Sequence, residues 1–236
     1  MEAAFVIAAA MASTSLEMTI DPIAYYHGPF GSKFGIPRQS SLAADVEGRI
    51  VFEPKYRVQE ALRGLEHFSR LWLIWGFSAN KPAKGEWQPT VRPPRLGGNT
   101  AMGVFATRSP FRPNPLGLSC VELQAIDGME LVIKGADLAD GTPIYDIKPY
   151  VVYADSFPQA QSGFAQEAPK PELEVVIPEE LPISASQRKV LQEVLAYDPR
   201  PAYQDSPDKE YAMLFDGADV SFKVRGNVLT VTGIKK

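Results

Sequence analysis

The stretch LGLSCVELQAIDGMELVIK, residues 116–134, decides the fold class. Residues 116–126 read as one strand, Asp127-Gly128 is the dipeptide of a tight hairpin turn, and 129–134 lead the chain back as a second strand. Upstream, residues 69–77 form a continuous apolar run of strand length through Leu71, Trp72, Leu73, Ile74 and Trp75, the pattern of a buried central strand. Shorter strands are expected at 19–26, 49–52 and 102–107, and another at 142–152. A short helix at 57–63 closes on Gly64. Strands this short and closely spaced, with no amphipathic helix between them, predict a mainly β fold: a closed or partly closed β-barrel.

The pattern changes after the barrel. Pro158, Pro169, Pro171, Pro178 and Pro182 break regular structure across 157–182, which reads as a connection. Val190, Leu191, Val194 and Leu195 then recur at helical spacing, and the helix stops at Asp198-Pro199 because a residue before proline is driven out of the helical region. Apolar runs at 211–215, 220–224 and 228–232, separated by Asp216-Gly217 and Arg225-Gly226-Asn227, read as a three-stranded meander. The expected division is 1–17 as an N-terminal extension, 18–156 as the barrel, 157–182 as the connection, and 183–236 as a small α+β C-terminal domain. Within the extension, the apolar run 3–12 follows Glu2 rather than a Lys or Arg and is too short to span a bilayer. No membrane segment and a cytoplasmic location are expected.

With 236 residues, 45% of them hydrophobic and 22% charged, the chain can bury a substantial core. Its net charge of −4 argues against a polyanion-binding surface everywhere, although a local basic site remains open. The single cysteine, Cys120, excludes an internal disulfide and a cysteine-based metal cluster and reads as a buried structural thiol. His27 and His67 show no ligand spacing, so no metal is expected. The motifs G-x-G-x-x-G, G-x-x-x-x-G-K-[ST] and G-x-S-x-G are missing, which removes the common dinucleotide, P-loop and hydrolase readings.

Chemistry concentrates in two segments. Residues 87–121 contain Arg92, Arg95, Arg108 and Arg112 and no Asp, Glu or Lys. Four planar, five-donor guanidiniums without a local acidic partner favour an anionic ligand. The sequences Arg92-Pro93-Pro94-Arg95 and Arg112-Pro113-Asn114-Pro115 stiffen their mounts, which lowers the entropy lost on binding. The second segment runs from Asp140 to Tyr150. Strict alternation places Thr142, Ile144, Asp146 and Lys148 on one face, which is either an exposed ion pair or a polar site at a barrel mouth.

At Gly103-Val104-Phe105-Ala106-Thr107-Arg108-Ser109-Pro110-Phe111-Arg112-Pro113-Asn114 the sequence resembles the TsaA-like (YaeB-like) family of tRNA methyltransferases. Supporting blocks lie at Pro37-Arg38-Gln39, at 91–99, at 140–150 and at Asp198-Pro199-Arg200-Pro201-Ala202-Tyr203, so the resemblance spans nearly all of 18–236. It implies a β-barrel enzyme that uses S-adenosyl-L-methionine to methylate N6-threonylcarbamoyladenosine next to the anticodon in tRNA, acting as a homodimer. By position, cofactor contacts fall on Gln39, Ser40, Ser41, Phe77, Ser78, Arg108, Leu118, Asp140, Gly141, Thr142 and Pro143. The candidate catalytic set is Asp146, Lys148, Arg112 and Asn114, with Asp146 or Asp140 as proton acceptor and Lys148 stabilising developing charge. Arg92, Arg95 or Arg112 is expected to grip the threonyl carboxylate. Arg200 and Tyr203 are assigned to the anticodon loop. Two alternatives stand beside this: an S-adenosylmethionine-dependent methyltransferase for a non-tRNA substrate, and a non-catalytic RNA-binding barrel. The second gives no reason for an acidic strand at 140–148.

Residues 1–17 carry no partner pattern. Their deletion is therefore expected to leave the melting temperature unchanged, and a loss of several degrees in a thermal melt would show that they pack on the body.

Overall fold

Six strands alternate well enough to close into a ring. The computed structural model describes residues 18–40, 42–78, 87–200, 206 and 208–236. Its first eight strands are β1 (Ala24–His27), β2 (Glu47–Phe52), β3 (Arg70–Gly76), β4 (Thr90–Val91), β5 (Met102–Gly103), β6 (Leu116–Asp127), β7 (Glu130–Lys134) and β8 (Thr142–Pro149). The order β1-β2-β7-β6-β3-β8 returns to β1, and every pair in this closed barrel is antiparallel. The fold is the mainly β barrel that the sequence predicts.

Inside the ring sit Ala24, Tyr26, Ile50, Phe52, Leu71, Leu73, Trp75, Val121, Leu131, Ile133 and Ile144, all buried. An eight-stranded barrel is just wide enough for side chains to fill. Six strands make a narrower one, and this one is packed solid. The expected burial of β3 on both faces is corrected here. Leu71, Leu73 and Trp75 are buried inside, whereas Trp72 and Ile74 are only half-buried outside. The tight turn between β6 and β7 is Gly128-Met129, one residue later than the sequence suggests. The expected strand 102–107 is only two residues long and passes into a short 3-10 turn, and three such turns at 54–67 replace the expected helix. β8 ends at Pro149, and Val152–Asp155 (α1) follows as a single helical turn rather than more strand.

The second unit holds β9 (Glu174–Val176), α2 (Ala185–Leu195), β10 (Tyr211–Phe215), β11 (Ala218–Arg225) and β12 (Val228–Lys235). Its sheet has the order β10-β11-β12-β9. The meander is present, but β9 lies inside the segment read as a structureless connection. Between Pro171 and Pro178 the chain still offers Glu-Val-Val, and it adds in parallel to the edge of β12. An edge strand needs few donors, which suits a segment bounded by prolines. The α2 N-terminus carries a capping box, with Ser184 Oγ accepting from Gln187 N at 3.2 Å and Gln187 Oε1 accepting from Ser184 N at 2.9 Å. Val190, Leu191, Val194 and Leu195 of α2 pack on the sheet.

The chain after β1 belongs to both units. Phe30 bridges Phe215 of β10, and their rings meet edge-to-face at 5.8 Å. Phe30, Ala43 and Val46 complete the second core. Glu193 of α2 accepts from Ala44 N at 2.9 Å and Asp45 N at 3.2 Å. Phe30 is fully buried. Phe30→Ala is thus expected to cost about 3–5 kcal/mol in urea unfolding, the range for a phenylalanine cavity.

Candidate active site

Two observations locate the site: a solid lumen, and a bulge in β8. Pairing of β3 with β8 slips between Ile74 and Trp75, so Ile74 faces Asp146 while Trp75 faces Ile144. One extra residue, Tyr145, is left without a partner and changes which side chains face outward. Thr142 and Ile144 point into the barrel, whereas Asp146 and Lys148 lie on the outer wall, level with Ile74 and Trp72. Strict alternation had put all four on one face, and a polar site at a barrel mouth is not what forms. Asp146 and Lys148 are an outer-wall ion pair, Nζ to Oδ2 at 2.9 Å, with Lys148 largely exposed.

Gly76 of β3 carries no side chain on this wall, and the Tyr145 ring fills the space. A Cβ there would meet the Tyr145 hydroxyl at 2.9 Å and Pro143 Cγ at 3.3 Å. Gly76 pairs with Leu116, and Ile74 with Leu118, which is 52% exposed. Phe77 N donates to Pro115 O at 2.9 Å and so ties the end of β3 to the start of β6. Leu118, Pro143 and Tyr145 therefore share the outer wall around Gly76, whereas Phe77 packs against the barrel core, its ring edge-on to Trp75 with centroids 4.4 Å apart.

The rim supplies the polar groups. Arg108 Nη1 donates to Gln39 Oε1 at 2.5 Å and joins the loop before β6 to the loop after β1. Asp140 keeps about half its side chain exposed and accepts from His27 Nδ1 at 3.1 Å and Gly28 N at 3.3 Å. Gly141 N donates to Tyr26 O at 2.8 Å, and Thr142 Oγ1 to Ala139 O at 2.7 Å. Thr142 is buried, so its hydroxyl completes its own turn and does not face a ligand. Ser41 and Tyr203 lie outside the described residues.

The four arginines of 87–121 separate into different environments. Arg112 Nη1 donates to Thr107 O at 3.2 Å and Ser109 O at 3.5 Å, so this guanidinium braces its own loop. Arg95 donates to the carbonyl of Glu167. Arg92 is exposed and makes no hydrogen bond or ion pair with any described residue. Asn114 is exposed beside β6, with its backbone carbonyl bonded to Leu116 N. Arg200, expected at an RNA surface, instead forks onto Asp198, with Nε to Oδ1 at 2.9 Å and Nη2 to Oδ2 at 2.8 Å. Its side chain is 9% exposed. The carboxylate two residues earlier reaches it because Asp198 takes a left-handed φ of 46° after the helix.

Two groups that sequence reasoning passed over belong to this region. His27 read as an ordinary polar residue, but its ring nitrogen holds Asp140. Asp137 was not singled out at all. Its carboxylate accepts from Ser119 Oγ at 2.5 Å, and Ser119 Oγ accepts from Trp75 Nε1 at 2.9 Å. Burial pushes the Asp137 carboxyl above the usual range, partly offset by Ser119, by the backbone of Ser40 and by the charge of Arg108. The phenol of Tyr26 is pushed up by its own burial first, then by the charges of Asp137 and Asp140. A polar residue in an apolar strand, Ser119 in 116–126, was the one signal available. Cys120, next to it, sits half-buried on the outer wall rather than in the core, and its thiol is pushed up by burial.

The comparisons with known proteins bear on both units. The tRNA-methyltransferase O N-terminal domain model matches residues 25–156, and the TrmO C-terminal domain model matches 170–236. The tRNA (adenine(37)-N6)-methyltransferase of Escherichia coli (strain K12) is 42% identical over 218 residues, covering 86% of this chain and 92% of that protein. A Pseudomonas aeruginosa (strain PAO1) relative, 40% identical over 212 residues with 86% and 90% coverage, is named for an S-adenosylmethionine-dependent methyltransferase. The crystal structure of TrmO from Pseudomonas aeruginosa superposes with a TM-score of 0.76 at 31% identity, covering 94% of this chain and all of that one.

The Trp75 indole lies against the backbone of Gly117, where a Cβ would fall 2.2 Å from Trp75 Cε2. Gly117→Ala must displace the ring from Ser119 and is expected to cost about 1–3 kcal/mol in urea unfolding, as overpacking does. Unchanged stability would show that the ring has room to move.

Proposed function

The chain belongs to the tRNA-methyltransferase O family, and on that premise we propose that it transfers a methyl group from S-adenosyl-L-methionine to N6 of N6-threonylcarbamoyladenosine next to the anticodon of tRNA. The observation that carries this reading is a solid barrel whose loops hold an exposed guanidinium (Arg108) and a half-exposed carboxylate (Asp140), beside an outer wall that leaves Leu118 exposed. That set suits the cofactor's chemistry: a carboxylate and an ammonium on one side of the molecule, an adenine ring on the other. Large apolar groups left half-exposed beside fixed charges mark a binding surface rather than a core defect. Gln39, Ser40 and Arg108 would hold the polar end, with Asp140 facing the ammonium or a ribose hydroxyl. When bound, the cofactor supplies an electrophilic methyl group.

This chain's own residues supply the rest. Aligning acceptor and donor and excluding water can contribute about 7–11 kcal/mol to such a displacement. The acceptor nitrogen must lose its proton as the new C–N bond forms, and Asp146 on the outer wall is the carboxylate assigned to take it. Lys148, paired with Asp146, faces charge developing on the carbamoyl oxygen. Arg112 and Asn114 shape the loop beside them. Among the arginines, Arg92 is the one assigned to the threonyl carboxylate, because the guanidiniums of Arg95 and Arg112 are already engaged. The exposed rings of Phe105 and Phe111, 72% and 52% accessible, offer stacking faces for anticodon-loop bases. A second copy of the chain is assigned to the patch of Val152, Tyr153 and Phe157, 70%, 89% and 68% exposed. No helix among the described residues is long and apolar enough to cross a membrane.

Two outcomes are expected. Arg108→Ala lowers methylation on the order of 10²-fold with an unchanged melting temperature, since Arg108 is exposed and acts on ligand rather than on the core. Near-normal turnover would remove Arg108 from the site. Arg92→Met lowers single-turnover methylation of threonylcarbamoylated tRNA and narrows its advantage over unmodified tRNA. A wild type that methylates both tRNAs equally would show that Arg92 reads phosphate alone, and a shallower salt dependence would accompany its loss.

A further inference from the structure

We propose that His27 is a positioning residue: it turns the Asp140 carboxylate so that the protein holds one oxygen and the other is left for the cofactor. The inference rests on the reading that Asp140 contacts S-adenosylmethionine.

The backbone of Asp140 has little freedom left. Asp140 N donates to Phe30 O at 2.7 Å and Gly141 N to Tyr26 O at 2.8 Å, so the turn before β8 is fastened to the segment 26–30 at two points. That segment is itself fixed. Tyr26 and Phe30 are fully buried, and Pro29 O accepts from Asp216 N of the second unit at 2.6 Å. Gly28 lies flush on the tip of the Tyr26 ring, where a Cβ would run into the phenol hydroxyl. What remains free is rotation of the Asp140 side chain, and the last torsion of an aspartate is broad.

Two donors remove that freedom. His27 Nδ1 donates to Asp140 Oδ1 at 3.1 Å, and Gly28 N donates to the same oxygen at 3.3 Å. No described residue donates to Oδ2, and about half of the side chain stays accessible. One oxygen thus belongs to the turn after β1, and the other keeps its capacity to accept. An ammonium or a hydroxyl suits it, and S-adenosylmethionine carries both. Arg49, cross-strand from His27 on the same face, is engaged elsewhere, by Asp127 at 3.0 Å and Glu130 at 2.9 Å.

The contact adds little to the fold. The side chains of His27 and Asp140 are 53% and 49% exposed, and pairs this accessible contribute little to stability. Preorganisation is what such a contact supplies, because a carboxylate already aimed loses less freedom when its ligand arrives. The place of the donor atom is then decisive. Asparagine carries its amide nitrogen on Cγ, as histidine carries Nδ1, and can donate from nearly the same point. Glutamine carries its amide one carbon further out, where it replaces Nε2 rather than Nδ1.

The experiment compares full-length wild type, H27A, H27N, H27Q, D140A and H27A/D140A. It measures S-adenosylmethionine affinity by calorimetry and melting temperature by a thermal scan. H27A is expected to bind about 10-fold more weakly, the low end for a hydrogen bond to a charged group, with its melting temperature unchanged. H27N should recover most of that affinity, and H27Q should not. H27A/D140A should bind no more weakly than D140A, because His27 acts only through Asp140. The inference is overturned by an H27A that binds as wild type does, by an H27N no better than H27A, or by a double variant weaker than D140A. An H27A that melts several degrees lower makes the contact a staple of the fold and overturns it as well. A D140A that binds as wild type does removes Asp140 from the site, and a wild type that fails to bind sinks the cofactor reading. Both results are distinct from a failure at His27.

Discussion

Trp75 lies against the bare backbone of Gly117 inside the barrel, and its indole N–H reaches Ser119. Six strands enclose too little space for a ligand, so this indole, with Tyr26, Leu71, Leu73 and Ile144, fills the lumen and excludes water from it. The indole N–H and the Ser119 hydroxyl must then satisfy each other, and the hydroxyl proton needs an acceptor. Asp137 provides it from the loop after β7. The packing of an apolar lumen thereby determines where a carboxylate stands at the barrel end.

A filled barrel also moves function to its outside. The β8 bulge turns Asp146 and Lys148 outward, while Gly76 leaves room for Tyr145 to lie flat on the wall. Leu118 stays half-exposed beside them because its strand alternates, and the inward position next to it belongs to Ser119. The wall between β6, β3 and β8 is thus apolar at its centre and charged at its margins, the distribution a binding face requires.

The second unit is held to the first by the same stretch that carries Gln39 and Ser40. Phe30 is buried in the C-terminal core, and Glu193 at the end of α2 caps the backbone of Ala44 and Asp45. Lys189 adds an ion pair to Asp45 at 2.5 Å, a contact of small energetic weight because the lysine is largely exposed. The loop proposed to meet the cofactor therefore runs directly into a segment anchored on α2.

The strands, the hairpin at Asp127–Glu130 and the helix stop at Asp198-Pro199 are all local events. They depend on side-chain alternation, turn chemistry and the conformational limits of proline, and each was legible from neighbours in sequence. The family resemblance was legible for a related reason, since it rests on one contiguous motif with supporting blocks in order. An exposed Asp146–Lys148 ion pair was one of two readings the sequence left open, and it forms, but Thr142 and Ile144 do not share its face, because a one-residue bulge depends on how β3 and β8 register across the barrel. Arg200 looked available because Asp198 takes a left-handed turn that composition does not announce. Asp137 and His27 were missed for the same reason as β9: their partners, Ser119, Asp140 and β12, lie far along the chain or on another strand. Sequence determined which segments extend, turn and coil, because those preferences are set within a few residues. Only the tertiary structure decided which side chains face one another, because closing the barrel fixes registers that no local preference contains.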